Sequence, residues 1–238
     1  MEAVKRGAAI VGVRGKGTVV LGVERKSTAK LQDPRTVHKI CLLDSHLALA
    51  FAGLHADARV LVNRARIEAQ SHRLAVEDRA SVEYMAKFIS GIQQKYTQTG
   101  GRRPFGITTL LAGTDRDGKP RLFQTDPAGV SSEWKAQAGG RNGRTLREFL
   151  EANYEEDATE RECCVLACRT LLEVVDSGSG SIELLVVSEG GDVRMVKEDE
   201  LKEVVEEAEK ATEEAAGSSS SSAAGRASAA AAVGGTGS

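Results

Sequence analysis

"VKRGAAIVGVRGKGTVVLGVERK", residues 4–26, holds two short apolar runs on either side of Gly15-Lys16-Gly17. Runs of this length bounded by a glycine turn read as a β-hairpin, with strands over 8–13 and 18–23. Neither run alternates apolar with polar residues. Strands that are apolar throughout are buried on both faces, which predicts further layers above and below their sheet.

Two more strands follow, VHKICLL at 37–43 and HLALAFAG at 46–53, separated by the turn residues Asp44-Ser45. The period then lengthens. From Ala56 to Leu74 and from Glu77 to Gln98, apolar residues recur at helical spacing among charged ones, so two consecutive amphipathic helices lie on the sheet. GGRRPFG at 100–106 is a Gly/Pro-bounded loop. The β pattern returns as ITTLLAGTD (107–115), PRLFQTD (120–126) and VSSEWKA (130–136). Helices are predicted over 145–154 and 159–175, then strands SIELLVVS (181–188) and DVRMVK (192–197). An acidic helix from Glu198 to Glu214, expected to face solvent, closes the folded part. The order of strands, two helices, strands, two helices, strands and helix is not βαβ alternation. It fits an α+β fold with two antiparallel sheets stacked face to face and helices on both outer faces, a four-layer αββα sandwich. We expect one domain over residues 1–216. Residues 217–238, a Ser/Ala/Gly-rich tail with little to bury, are expected to be disordered.

A net charge of −2 argues against nucleic-acid binding, which calls for a basic excess. No apolar run approaches the roughly 18 residues that cross a bilayer. Cys41, Cys163, Cys164 and Cys168 show no disulfide-framework spacing and read as reduced thiols; Cys164 and Cys168 share a helix face as small apolar groups. His38, His46 and His55 have no metal-ligand spacing, so no metal site is expected. Gly12, Gly15 and Gly17 lie in a hairpin with no helix start behind them to bind phosphate.

An ordered series of words runs through the chain: EAVKRG (2–7), VVLGVERKSTAKLQDPRTVHKI (19–40), FAGLHADARVLVNRARIEAQSHRL (51–74), KYTQTGGRRPFGITTLLAG (95–113), RLFQTDPAG (121–129) and REFLEANY (147–154). Together they resemble proteasome subunits of the α type over about residues 2–205. The resemblance implies the αββα sandwich of N-terminal-nucleophile hydrolases and a place in the seven-membered outer ring of the 20S particle. Catalytic members of that fold open the first strand with a threonine, close the second with an aspartate and carry a lysine on the third. Those positions fall here on Ala8, Glu24 and Lys39. A nucleophile of this class needs a hydroxyl or thiol with its own free α-amino group as base. Ala8 offers neither, and Thr108 and Thr109 are mid-chain strand residues, so no catalytic residue is assigned.

The resemblance further implies that Lys39, with Gly53 and Leu54 as a wall, belongs to a pocket receiving the C-terminal carboxylate of an ATPase-ring or other activator tail. The alternative for Lys39 is a local ion pair with Asp44 or Glu24. Expected partners are neighbouring α and β subunits and those activator tails, with no cofactor, nucleic acid or membrane. The expected setting is cytoplasmic and nuclear, in ATP- and ubiquitin-dependent protein degradation. Subunits of the α type carry a gate-forming segment ahead of EAVKRG, which a chain starting at Met1 is expected to lack. Two other readings stand beside the ring subunit: a stand-alone hydrolase of the same fold, and a diverged or truncated copy that does not assemble.

Overall fold

The computed structural model describes residues 2–25, 38–175 and 181–212. The expected tail at 217–238 lies outside them. A single helical turn, α1 (Glu2–Lys5), precedes the hairpin β1 (Ile10–Gly15) and β2 (Thr18–Glu24); β3 (Ile40–Asp44) and β4 (Leu47–Gly53) follow. Next come α2 (His55–Val76), α3 (Val82–Gln98), β5 (Ile107–Thr114), β6 (Pro120–Thr125), β7 (Ser131–Glu133) and β8 (Ala136–Gly139). The chain continues through α4 (Gly143–Asn153), α5 (Glu160–Leu172), β9 (Ile182–Ser188) and β10 (Val193–Met195). A last helix, α6, covers 198–212 among the described residues. The strands form two antiparallel five-stranded sheets, ordered β10-β9-β2-β1-β8 and β3-β4-β5-β6-β7.

Why the strands are apolar throughout is visible in their alternation. Along β2, Val19, Leu21 and Val23 enter the layer between the sheets, while Val20 faces the helices. On β4, Ala48, Ala50 and Ala52 point between the sheets, and Leu47, Leu49 and Phe51 meet α2 and α3. Small residues on the inner faces let the sheets close together. Gly12 shows the limit, because a Cβ there would sit 2.8 Å from a methyl of Leu122. The helices supply the outer layers: α2 and α3 cover the second sheet, while α4, α5 and the apolar side of α6 cover the first. The result is the expected four-layer αββα sandwich.

Three local expectations change. The helix read from Glu77 begins at Val82, because Glu77 adopts a left-handed conformation (φ 59°) that ends α2. Ser81 then caps α3 by accepting the Tyr84 N–H at 3.2 Å. VSSEWKA is not one strand. β7 pairs with β6 in the second sheet, and β8 pairs with β1 in the first, with Trp134-Lys135 carrying the chain across. The Trp134 N–H donates to Leu122 O at 2.9 Å and the Lys135 carbonyl accepts the Arg14 N–H at 2.8 Å, so the switch is pinned on both sides. Finally, α6 does not simply face solvent: Leu201, Val204, Val205 and Ala208 are buried against the α5 layer.

The inter-sheet layer sets the expected energetics. Truncating the fully buried Leu110 to alanine should cost about 2–5 kcal/mol, by lost transfer energy and a residual cavity. Truncating the exposed Ile67 on α2 should change stability by less than about 0.5 kcal/mol. Urea unfolding of the full-length chain followed by circular dichroism compares the two directly.

Candidate functional site

Ala8, Glu24 and Lys39, which the sequence places on three separate strands, meet at one end of the sandwich. The Glu24 carboxylate accepts the Ala9 N–H at 3.0 Å through one oxygen and an Arg141 guanidinium N–H at 2.9 Å through the other. The backbone closes the same contact, as the Glu24 N–H donates to Ala9 O at 2.8 Å. Arg141 also donates to Val174 O at 3.0 Å. The Lys39 ammonium donates to the Glu24 carbonyl at 2.8 Å. Glu24 and Lys39 are both buried. Gly140 packs so tightly on Ala8 that a Cβ would lie 2.1 Å from the Ala8 carbonyl oxygen. Each Glu24 oxygen is thus held by a donor and the ammonium by a carbonyl, in a clamp that joins strands. The only side chain at position 8 is a methyl.

The other sequence candidates have structural partners. Thr109 and Thr125 share a buried hydroxyl hydrogen bond of 2.7 Å. His46 donates from Nε2 to Ala80 O at 2.8 Å, His38 meets Glu183 at 3.2 Å, and His55 packs edge-on against Phe51. Among the described residues no group of three or more His, Cys, Asp or Glu side chains could hold a metal ion. Burial pushes the thiol of Cys163 up to about 11 and those of Cys164 and Cys168 up to about 12, so these cysteines pack as apolar groups.

Gly53 ends β4, and Leu54 is the residue before α2. With Glu2, Ala3, Arg6 and Gly7 they line an open pocket of about 450 Å³ where α1 meets the start of α2. Gly53 is required there: its φ is +125°, and a Cβ would lie 2.1 Å from the Gly106 carbonyl oxygen. Lys39 does not line this pocket. Its ammonium is held on the Glu24 carbonyl, and its charge reaches His55, the residue after Leu54. Burial, then the Lys39 charge, then that of Arg59 hold the His55 imidazole below its ordinary value.

One residue of this region escapes sequence reasoning. Asp57, in the first turn of α2, takes two hydrogen bonds of 2.7 Å from Arg103 and a third of 2.9 Å from the Gly106 N–H. The Leu54 N–H returns a bond to Gly106 O at 3.2 Å. Loop 100–106, which the sequence marks only as a turn, is thereby fastened to the pocket wall. The pairing spans some fifty residues of chain, and no local pattern announces it.

Residues 4–188 match the family model described as proteasome subunit. The chain belongs to the proteasome subunit family. It is 58% identical over 214 residues to proteasome subunit alpha type-7-B of Oryza sativa subsp. indica, covering 89% of this chain and 86% of the relative. It is 56% identical over 211 residues to a proteasome subunit alpha type-7-like protein of Macaca fascicularis, covering 88% and 84%. To proteasome subunit alpha type-4 of Saccharomyces cerevisiae it is 52% identical over 215 residues, covering 88% and 85%. As a proteasome subunit of the α type it is noncatalytic, and the stand-alone hydrolase reading falls away.

For this subunit the Asp57 clamp has a measurable sign. The Arg103 hydrogen bonds, aided by the Gly106 amide, hold the Asp57 carboxyl below its ordinary value of 3.8. A depressed folded value stabilises the fold above the ordinary value, and that contribution is lost as pH falls through the depressed one. Asp57→Asn should therefore lower stability by about 2 kcal/mol at neutral pH, the scale of hydrogen bonds to a charged group. The gap should close as both proteins are taken down through the carboxylate range, as read by thermal unfolding at each pH.

Proposed function

We infer that this chain is a noncatalytic structural subunit of the 20S proteasome core, a member of the outer α ring that assembles with other subunits into a hetero-oligomer. The observation that carries the assembly is on α2. Val60, Ile67 and Leu74, seven residues apart, form one stripe that is 43%, 71% and 84% exposed. Apolar side chains at heptad spacing on a long helix suit burial against another subunit. Charge placed in that stripe should block assembly without unfolding the chain. Ile67→Glu is expected to leave the folded subunit free on a native size gradient, while the tagged parent chain co-migrates with peptidase activity in a very large particle. Equal incorporation of both would overturn the assignment of this stripe to an interface.

The finer reading is that the pocket at Gly53 and Leu54, together with Lys39, receives the C-terminal carboxylate of an activator tail. An ATPase ring or similar cap would supply that tail, with α and β subunits as the ring's fixed neighbours. Three features support it: an apolar wall, a buried ammonium whose charge reaches His55 next to that wall, and the N-terminal end of the long helix α2, whose cap residue Leu54 provides no side-chain oxygen of its own. Terminal carboxylates suit a lysine point charge and backbone amides together. The role is then structural containment and docking, with unfolded substrates threaded past this subunit toward catalytic ones in ATP- and ubiquitin-dependent degradation. The free cysteines, three of them buried, suit the cytoplasmic and nuclear setting proposed for it.

Lys39→Met, which retains the aliphatic stem, tests the docking reading. It should weaken activator binding to assembled particles about tenfold or more, the scale of one charge-assisted hydrogen bond, while incorporation is kept. Unchanged binding by intact particles would remove Lys39 from the pocket.

A further inference from the structure

Arg102 stacks over the Tyr96 ring, its guanidinium carbon 5.1 Å from the centroid, and Arg64 approaches the same ring at 5.7 Å. Arg64 also donates to the Tyr96 hydroxyl at 3.1 Å, and Tyr96 rests on Phe105 with centroids 4.5 Å apart. An aromatic ring is therefore flanked by two exposed guanidinium groups held in place by cation–π contact. Arg59, one turn into α2, adds a third exposed cation, close enough for its charge to act on His55.

Many of the arginines are fixed by acids. Arg14, Arg73, Arg103, Arg121, Arg141 and Arg194 each reach a carboxylate. Among the described residues, Arg59, Arg64 and Arg102 have no carboxylate within ion-pair distance. Asp57, two residues before Arg59, is already taken by Arg103 and Gly106, and Glu68, four residues after Arg64, accepts the Tyr84 hydroxyl. A guanidinium stacked on a ring keeps its N–H edges free and pre-oriented, the arrangement that binds carboxylates in pairs at little entropic cost.

The cluster also adjoins the docking pocket. Loop 100–106 carries Arg102 as its third residue and Gly106 as its last, and a Cβ on Gly106 would lie 3.0 Å from a methyl of Leu54. We propose that Arg59, Arg64 and Arg102 form an interaction surface for an acidic stretch of a partner chain, immediately preceding the C-terminal residue that enters the pocket at Gly53 and Leu54. The proposal rests on the pocket reading and adds the composition of the tail to it. The terminal carboxylate fixes the end of the tail, and the cationic surface selects acidic residues just upstream, adding on-rate and specificity that salt screens.

The test uses assembled particles containing this chain and benzophenone-bearing peptides that end in two leucines with a free carboxylate. The leucines are preceded by four glutamates or by four glutamines. Photolabelling of this chain, resolved by mass from that of the other subunits, is the readout. The glutamate peptide should label it about tenfold more strongly at low salt, as a few exposed charge pairs would give. The gap should close at high salt and in particles carrying Arg59→Glu with Arg102→Glu, while labelling of the other subunits reports that those particles are intact. Equal labelling by the two peptides, or an acidic preference that survives the charge reversal, overturns the proposal. The same peptides with a C-terminal amide separate the two readings. If amides label as well as free acids, the carboxylate pocket fails. An acidic preference that the charge reversal still abolishes then upholds the surface by itself.

Discussion

Each of the two central sheets buries both of its faces, and the arrangement of everything else follows from that constraint. An antiparallel sheet with one wet face would have needed only one covering layer. Here Val20 and Leu21 on adjacent positions of β2 point into different cores, so neither side of the strand tolerates water. Helices must therefore lie outside both sheets, and they come as pairs because one helix does not cover five strands. The acidic α6 is drawn into the same logic. Its charges look outward, but Leu201, Val204, Val205 and Ala208 complete the cover over α5.

Closing two such sheets on each other leaves one end where strand starts and strand ends converge, and there the chain spends its buried charges. Glu24 would be costly in that position alone, since an unpaired buried carboxylate loses its hydration. Its pairing with the Ala9 amide and the Arg141 guanidinium offsets that cost and ties β1, β2 and the entry to α4 together. Lys39 joins through the Glu24 carbonyl, not its carboxylate. The methyl of Ala8 beside it carries no hydroxyl or thiol.

Much of the fold was legible because its signals are local. The hairpin at Gly15-Lys16-Gly17, the change from strand to helical period after Gly53, and the helical run from Thr159 are each set by residues close together in the chain. β8 was not legible. Ala136, Gln137, Ala138 and Gly139 carry no strand preference, and they become a strand because β1 offers a free edge. VSSEWKA alternates well enough for one strand, but alternation does not say which sheet a residue joins. In the candidate site, Gly53 and Leu54 line a pocket that Lys39 does not share, because the Lys39 ammonium is held on the Glu24 carbonyl. Asp57 was illegible for a different reason: its partners sit on a loop far along the chain, and an acidic residue in a first helical turn is ordinary by itself.

The start of α2 gathers the contacts that hold this edge of the molecule. Gly53 approaches the Gly106 carbonyl as only a glycine can, Leu54 exchanges a backbone bond with the same residue, and Asp57 locks Arg103 and the Gly106 amide. A loop of seven residues rich in glycine would otherwise sample many conformations, and each contact made through it would carry that entropic cost. Fastened at both the backbone and the carboxylate, it instead holds Phe105 against Tyr96 and leaves Arg102 laid over the ring. Asp57 thus occupies one arginine of the Arg102-Arg103 pair for structure, and in doing so frees the other to face outward. That division of labour between two adjacent guanidinium groups is what turns a turn-forming loop into a rigid, cationic edge beside the pocket.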